Sequence, residues 1–161
     1  MLKRGKGNMA TNTLREVMDT AIQQEKDAYE FYLHAVDVVK DPGAKVMLKE
    51  FAEIELKHKI KLENFELSGI GDEHHTVHHP QHDFNISQYL VDKEITPDST
   101  VQGVMIHAMK REESAYHFYN DMAKVVTSIE IKNLFEALAA EELSHKVRIE
   151  TEYDDVIYKE F

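Results

Sequence analysis

The feature that most constrains this chain is a glutamate and histidine pattern that occurs twice. In each copy a glutamate is followed three positions later by a histidine; the copies lie 87 positions apart, and a single glutamate precedes each at the same offset. The six residues are Glu25, Glu55 and His58 in the first half and Glu112, Glu142 and His145 in the second. Carboxylates buried among apolar neighbours cost several kcal/mol each unless they are neutralised. The pattern therefore predicts a site for two divalent cations.

The sequence around these residues is repeated as well. A shift of 87 positions places identical residues on each other, among them Val17 on Val104, Met18 on Met105, Ala21 on Ala108, Ala28 on Ala115, Tyr29 on Tyr116 and Tyr32 on Tyr119. We interpret the repeated unit as a duplicated antiparallel helical hairpin. Two such hairpins predict an all-α four-helix bundle with pseudo-two-fold symmetry.

Apolar residues at three-and-four spacing predict where the helices lie. We expect helices at about residues 14–40, 42–68, 100–126 and 128–158 within a bundle domain at 13–161. Helix starts are expected from a capping box at Thr13 with Glu16, from Asp41 before Pro42, from residues 99–102, and from a second capping box at Thr127 with Glu130. The remaining segments are a flexible tail at 1–12 and a crossover at about 69–98, with a short helix around 84–90. The crossover has to run the length of the bundle.

Composition excludes several classes of function. Thirty acidic residues against nineteen basic ones give a net charge of -11, which disfavours nucleic acids and anionic membranes as partners. The chain has no cysteine, so disulfides, thiolate nucleophiles and iron-sulfur centres are excluded. It has no secretory signal pattern and no apolar run long enough for a bilayer, so we expect a cytoplasmic location.

Helix geometry predicts that the six residues meet. In an antiparallel hairpin, residues equally far from the turn lie at the same height, and the midpoint of each glutamate pair falls at a predicted turn. A residue three positions along a helix returns to nearly the same face, so each histidine points inward with its glutamate. We expect Glu25 and Glu112 as terminal ligands of different metals, Glu55 and Glu142 as bridges, and His58 and His145 as one nitrogen ligand for each metal. A single glutamate and histidine pair on a helix would be typical of a solvated acidic face. Two pairs, each with a preceding glutamate at the same offset, favour the metal site.

These stretches resemble the rubrerythrin-like branch of the ferritin-like proteins. The resemblance rests on residues 21–32, AIQQEKDAYEFY, on residues 51–58, FAEIELKH, and on their second-half copies. It implies a ferritin-like four-helix bundle and a non-haem di-iron carboxylate centre whose two iron ions react with hydrogen peroxide or dioxygen. It also implies reduction of peroxide to water and a homodimer or larger homo-oligomer. Manganese, cobalt or zinc could replace iron, because oxygen and imidazole ligands suit all four metals.

Two departures from the family pattern limit what the resemblance implies. Full rubrerythrins contain a cysteine-ligated rubredoxin centre that delivers electrons, and a chain without cysteine requires a separate donor, such as rubredoxin or a small reductant. Rubrerythrins also carry a further glutamate one turn after the helix-three ligand, associated with movement of one iron. This chain has Ala115 there, and Glu113 points about 100° away and does not substitute for it.

Other residues allow two interpretations each. Tyr32 and Tyr119 follow the single glutamates by two turns and resemble rubrerythrin tyrosines that hydrogen-bond a ligand carboxylate or supply an electron; the alternative is aromatic core. The histidines of residues 74–82 suit an accessory metal or pH-sensitive loop, but a solvated mobile stretch is favoured. His34, His107 and His117 are expected at the surface or in packing.

Three functions are consistent with the pattern. The leading hypothesis is a di-iron oxidoreductase that consumes peroxide or dioxygen. The second is ferroxidase-type iron handling or storage by a ferritin-like assembly. The third is a non-catalytic helical scaffold whose metals only stabilise the fold.

Overall fold

Four long helices make up most of the described chain, which comprises residues 14–65 and 95–159 of a computed structural model. They are α1 (Leu14–Val38), α2 (Pro42–Glu63), α3 (Val101–Val125) and α4 (Ile129–Lys159). The described ranges contain no strand. The predicted all-α four-helix architecture is confirmed.

The helices pack as two hairpins that face each other. Helix α1 packs mainly on α2, and α3 packs mainly on α4, with fewer close backbone approaches between the hairpins. Each hairpin closes through a short turn, at residues 39–41 and 126–128. Antiparallel neighbours joined by short turns are the expected arrangement for helical hairpins.

The apolar core is divided into two clusters, one at each end of the bundle. The first core cluster joins the start of α1, the end of α2, the end of α3 and the start of α4, and its buried aromatic residues are Phe118, Tyr119 and Phe135. The second core cluster joins the opposite ends, and its buried aromatic residues are Phe31, Tyr32 and Phe51. The predicted metal ligands belong to neither cluster and lie along the helices between them.

The two clusters also establish the direction of each helix. Helices α1 and α4 run from the first core cluster to the second, while α2 and α3 run the opposite way. Phe65, just after α2, packs against the first cluster, and Ile95, ahead of α3, belongs to the second. The chain therefore passes from one end of the bundle to the other between α2 and α3, as expected for a crossover.

Helix starts follow capping chemistry, with a shift of one residue from the predicted position at α4. Asp41 caps α2 as predicted, because its side chain accepts a hydrogen bond of 2.8 Å from Ala44 N and Pro42 follows it. The cap of α3 is Thr100, whose hydroxyl accepts from Gly103 N at 3.0 Å. Helix α4 begins at Ile129, one residue later than the capping box at Thr127 requires.

The cap of α4 is formed by Ser128 in place of Thr127. Its hydroxyl lies 3.4 Å from Ile131 N and donates to Glu130 at 3.0 Å. The prediction of a capping box between Thr127 and Glu130 is therefore wrong by one position. Both hydroxyl residues can cap a helix, and the burial of Ile131 selects the register.

Helix α2 ends at Glu63, earlier than the predicted end near residue 68. Asn64 forms the C-cap, and the amide of Phe65 bonds to Leu62 O at 3.2 Å, which tightens the last turn. Phe65 then packs against the first core cluster. This contact, which joins residues of different helices, is not visible in the periodicity of one segment.

Some predictions concern residues outside the described ranges. These are the flexible tail at 1–12, the Thr13 cap, most of the crossover at 69–98 with its helix around 84–90, and the histidine-rich segment at 74–82. Among the described helices, none combines the length and apolar character that crossing a bilayer requires.

The Asp41 cap generates a stability prediction. Replacement by alanine leaves Ala44 N without its acceptor and should lower the free energy of unfolding by about 1 kcal/mol, whereas Asp41→Asn should retain most of the stability. Urea denaturation of both variants measures the difference. The exposed Asp37 provides the control, since Asp37→Ala should change stability by less than about 0.5 kcal/mol. Equal losses in Asp41→Ala and Asp37→Ala would contradict the capping role.

Candidate metal centre

All six predicted ligands converge at the middle of the bundle. Helices α1 and α3 each contribute a single glutamate, and α2 and α4 each contribute a glutamate and a histidine. The four carboxylates, at Glu25, Glu55, Glu112 and Glu142, are only 1–2% exposed. Each lies on the inner face of its helix, as the three-and-four spacing predicts. The result is a layer of buried acids between the two apolar clusters.

The six side chains form two overlapping groups of possible metal ligands. One group contains Glu25, Glu55, His58 and Glu142, and the other contains Glu55, Glu112, Glu142 and His145. Within each group one ligand atom from every residue lies within 4.8 Å of the others. Glu55 and Glu142 occur in both groups, and the single glutamates and histidines occur in one each. Glu55 and Glu142 are the residues for which the helix geometry predicts bridging positions, and that assignment stays a prediction.

The two histidines present equivalent atoms to the acids. His58 Nδ1 lies 3.2 Å from Glu142, 3.4 Å from Glu55 and 3.6 Å from Glu25. His145 Nδ1 lies 3.3 Å from Glu142 and 3.5 Å from both Glu55 and Glu112. The rings stack nearly parallel, with centroids 5.9 Å apart and an interplanar angle of 13°. Each imidazole therefore directs one nitrogen at its own group of carboxylates.

Burial and mutual repulsion alter the protonation of this centre. Burial, together with repulsion from Glu55, raises the pKa values of Glu25 and Glu142 well above the usual carboxyl range. Burial also disfavours ionisation of Glu55, but the nearby imidazoles of His145 and His58 outweigh it and lower the pKa of Glu55. Without a cation, the cluster therefore divides its protons unequally among its carboxyl groups.

The histidines respond to the same carboxylates. Burial alone lowers the pKa of an imidazole, but the surrounding glutamates raise the pKa of His58 well above its usual value and that of His145 to about 12. Protons on the imidazoles thus supply the positive charge that a cation would supply. Cation binding at these nitrogens must displace those protons, because a ligand imidazole is neutral.

The two buried tyrosines hold the single glutamates from the opposite hairpin. Tyr32 on α1 donates a hydrogen bond to Glu112 Oε1 on α3, and Tyr119 on α3 donates to Glu25 Oε1 on α1. Both tyrosines are fully buried. Burial, with the charge of the accepting glutamate, raises both tyrosine pKa values well above their usual value, so the hydroxyl protons stay in place. The crossed pair orients Glu25 and Glu112 and ties the hairpins together.

The donor set fits divalent cations. Glu55 Oε1 and Glu112 Oε2 are buried and accept no hydrogen bond from any described residue, so both oxygens remain available as ligands. Two ligand atoms that each lie about 2.0–2.2 Å from the same ion can be at most slightly more than 4 Å apart. The ligand atoms of each group lie within 4.8 Å of one another, close to that limit. Four carboxylates and two imidazoles also balance the charge of two divalent ions. Thiolate ligands are excluded because the chain has no cysteine.

A family match covers the second hairpin. Residues 103–160 match the family model described as Rubrerythrin, and this range contains Glu112, Glu142 and His145. The first hairpin repeats the same pattern and completes the same buried centre. The second hairpin is therefore similar to rubrerythrins, and the chain as a whole has the ferritin-like fold.

Solved structures with the same fold accompany this match. A hypothetical protein from Pyrococcus furiosus shares 26% identity over 94% of both chains with a TM-score of 0.69. The dodecameric thioferritin from Bacteroides fragilis, a bacterioferritin-related protein, shares 18% identity over 89% of this chain and 86% of its own, with a TM-score of 0.64. An Anabaena variabilis protein with DJ-1/ThiJ/PfpI-like and ferritin-like domains shares 13% identity over 98% of this chain and 44% of its own, with a TM-score of 0.60. No curated protein matches the sequence.

The structure also shows the surroundings of the other residues considered from sequence. Ala28 and Ala115, one turn beyond the single glutamates, are partly exposed and leave those positions without a further carboxylate. Glu113 is half exposed and lies 3.5 Å from Lys146 Nζ, so it faces away from the acids. His34 and His117 are exposed. His107 is buried and stacks on Phe31, in agreement with a packing role.

Sequence reasoning missed one residue at the centre. Glu141 Oε2 lies 2.6 Å from His58 Nε2, the ring nitrogen that faces away from the other acids. In the duplicated sequence its counterpart is Ile54, so the hairpins differ at this position. The difference between Glu141 and Ile54 is visible in the sequence, but its importance is recognised only from the contact between Glu141 on α4 and His58 on α2.

The crossed tyrosines generate the second prediction. Tyr32→Phe or Tyr119→Phe removes the hydroxyl from a buried carboxylate and should lower the stability of the metal-free protein by about 1–3 kcal/mol. Urea denaturation measures the loss. The matched control is Tyr29→Phe, a partly exposed tyrosine on the same helix as Tyr32, for which we expect almost no change. If Tyr32→Phe proves as stable as Tyr29→Phe, the hydroxyl bond to Glu112 does not contribute.

Proposed function

We propose that this rubrerythrin-like protein is a di-iron oxidoreductase that reduces hydrogen peroxide or dioxygen with electrons from a separate donor. The observation that carries the proposal is the sharing of Glu55 and Glu142 between two groups of ligand atoms. Bridging carboxylates hold two ions close enough to act together on one small molecule. The buried position suits a small substrate such as peroxide, because the surrounding core excludes larger ones.

The protein residues would hold and orient the reacting groups. Reduction of one peroxide to two waters consumes two electrons and two protons, and two bound ferrous ions would supply the electrons on becoming ferric. Tyr32 and Tyr119 keep the terminal carboxylates in one orientation through their hydroxyl protons. Both core clusters exclude bulk water from the ends of the centre.

Electrons must reach the centre from outside this chain. The sequence has no cysteine, so it holds no rubredoxin-type iron site of its own. We propose a separate electron-transfer protein such as rubredoxin, or a small reductant. The alanine at position 115 stands where rubrerythrins carry a further glutamate, so both ions would stay with the six ligands through turnover. We further propose a homodimer as the working assembly.

The iron centre provides the third prediction. Anaerobic loading with ferrous iron should reach two ions per chain and raise the melting temperature, because binding relieves repulsion among the buried carboxylates. Peroxide added to the loaded protein should oxidise both ions, and a reductant should restore them and sustain peroxide consumption. Metal analysis, thermal melts and a peroxide assay provide the readouts.

Variants separate the centre from general iron binding by an acidic surface. Glu55→Ala and His145→Ala should each lower the iron content and the peroxide turnover by at least about tenfold while the protein stays helical. Glu113→Ala removes an exposed acid beside Glu112 and should behave like the unmodified chain. Normal iron content and reactivity in both Glu55→Ala and His145→Ala would overturn the proposal.

A second candidate is ferroxidase-type iron handling by a ferritin-like assembly. The favouring observation is that the thioferritin neighbour is dodecameric and shares the fold along 89% of this chain. Such a protein would oxidise ferrous iron and keep the product inside a shell.

Assembly size and iron content discriminate these functions and provide the fourth prediction. We expect native mass spectrometry to give a dimer with two iron ions per chain after aerobic loading. A shell of many subunits that accumulates iron far beyond that ratio would favour the storage function. A scaffold function would instead be indicated if metal stabilises the chain while iron-loaded protein shows no reaction with peroxide or dioxygen.

A further inference from the structure

We propose that Glu141 is a positioning residue that holds His58 ready for metal binding and thereby makes the two metal positions unequal. The proposal rests on the proposed metal centre. The residues on which it depends lie on α2 and α4, the two helices that carry the glutamate and histidine pairs.

The contact between Glu141 and His58 determines which nitrogen is available to a metal. His58 Nε2 lies 2.6 Å from Glu141 Oε2, and Nδ1 lies 3.2 Å from Glu142. A neutral imidazole has one N–H group and one nitrogen with a free lone pair. When Nε2–H donates a hydrogen bond to Glu141, the lone pair is on Nδ1, which faces the centre. A carboxylate behind a ligand histidine orients the ring and raises its basicity.

Glu141 is suited to this role because it is partly exposed to solvent and also contacts the buried His58. Its side chain is 47% exposed, whereas the His58 side chain is 4% exposed. This carboxylate therefore avoids the burial cost that the four central glutamates carry. Its Oε2 reaches the buried ring of His58, while about half of the side chain remains exposed to water.

Among the described residues, the other half of the centre has no equivalent carboxylate. The duplicated position is Ile54, and His145 Nε2 makes no hydrogen bond to any residue in the described part of the chain. The ring of His145 packs instead on Phe51, with centroids 5.1 Å apart and an angle of 35°. Its side chain is also more exposed than that of His58, at 12%. Packing restricts the plane of this ring but does not select its protonated nitrogen.

The two positions should therefore fill in order. The position formed by Glu25, Glu55, His58 and Glu142 has a histidine whose ring and tautomer are already oriented, so less reorganisation accompanies binding there. The position that uses His145 has to orient its histidine as the ion binds. An ion in the first position also neutralises part of the charge on Glu55 and Glu142, which both positions share.

Anaerobic cobalt titration tests the order of binding. We expect the unmodified chain to bind two Co²⁺ ions in two resolved steps, and Glu141→Ala to weaken the tighter step by about 10- to 100-fold. Glu141→Gln retains an acceptor oxygen and should restore part of the loss. The matched control is Glu136→Ala, which removes an exposed acid from the same helix and should leave both steps unchanged. Melting curves of the metal-free variants establish that each remains folded.

The ring proton of His58 provides a spectroscopic readout that a purely structural role of Glu141 would not change. In the cobalt-loaded chain, a paramagnetically shifted N–H proton signal should be protected from exchange with water by its bond to Glu141. Glu141→Ala should lose that protection, while Glu136→Ala should keep it. Unchanged binding steps and unchanged exchange in Glu141→Ala would overturn the positioning role while leaving the metal centre intact. Failure of the unmodified chain to bind cobalt more tightly than Glu55→Ala would instead overturn the metal centre, and the positioning role with it.

Discussion

The structure depends on a layer of four buried carboxylates across the middle of an otherwise apolar bundle. Such a layer is costly, because charges removed from water repel one another and lose hydration. The protein offsets that cost with imidazole protons, with carboxyl protons and with two tyrosine hydroxyls. The protons reduce the net negative charge of the layer, as a bound cation would, and the tyrosine hydroxyls orient Glu25 and Glu112. A helical bundle gains no stability from such a layer without a cation, so the layer is consistent with the proposed metal site.

The remaining architecture supports that layer from both ends. Two separate core clusters, each with its own aromatic residues, provide the apolar burial that stabilises the helices. The polar layer between them can therefore remain strained in its metal-free form without unfolding the bundle. The crossed bonds from Tyr32 and Tyr119 connect the hairpins at the layer itself, where direct backbone packing between hairpins is sparse. The two tyrosine–glutamate hydrogen bonds therefore both orient residues of the proposed site and hold the hairpins together.

The sequence predicted those features that follow from spacing along a single helix or within one hairpin. Glu55 and His58 share a face because they are three residues apart, and Glu25 lies level with them because the turn is midway. The cap at Asp41 followed from its own side chain and the proline after it. Features that depend on contacts between segments were missed or displaced. The predicted end of α2 lies beyond the observed one, and no spacing within a single helix indicates the contact of Glu141 with His58.

The duplication explains why the ligands are matched while their neighbours are not. A pseudo-two-fold axis gives both halves the same ligands, but each surrounding position can change alone without breaking the centre. Glu141 stands against Ile54, and Phe51 beneath one histidine stands against Leu138 in the other half. These differences leave the six proposed ligands unaltered, yet they change how firmly each imidazole is held. A symmetric fold can thus acquire two unequal metal positions through changes in residues that touch no metal.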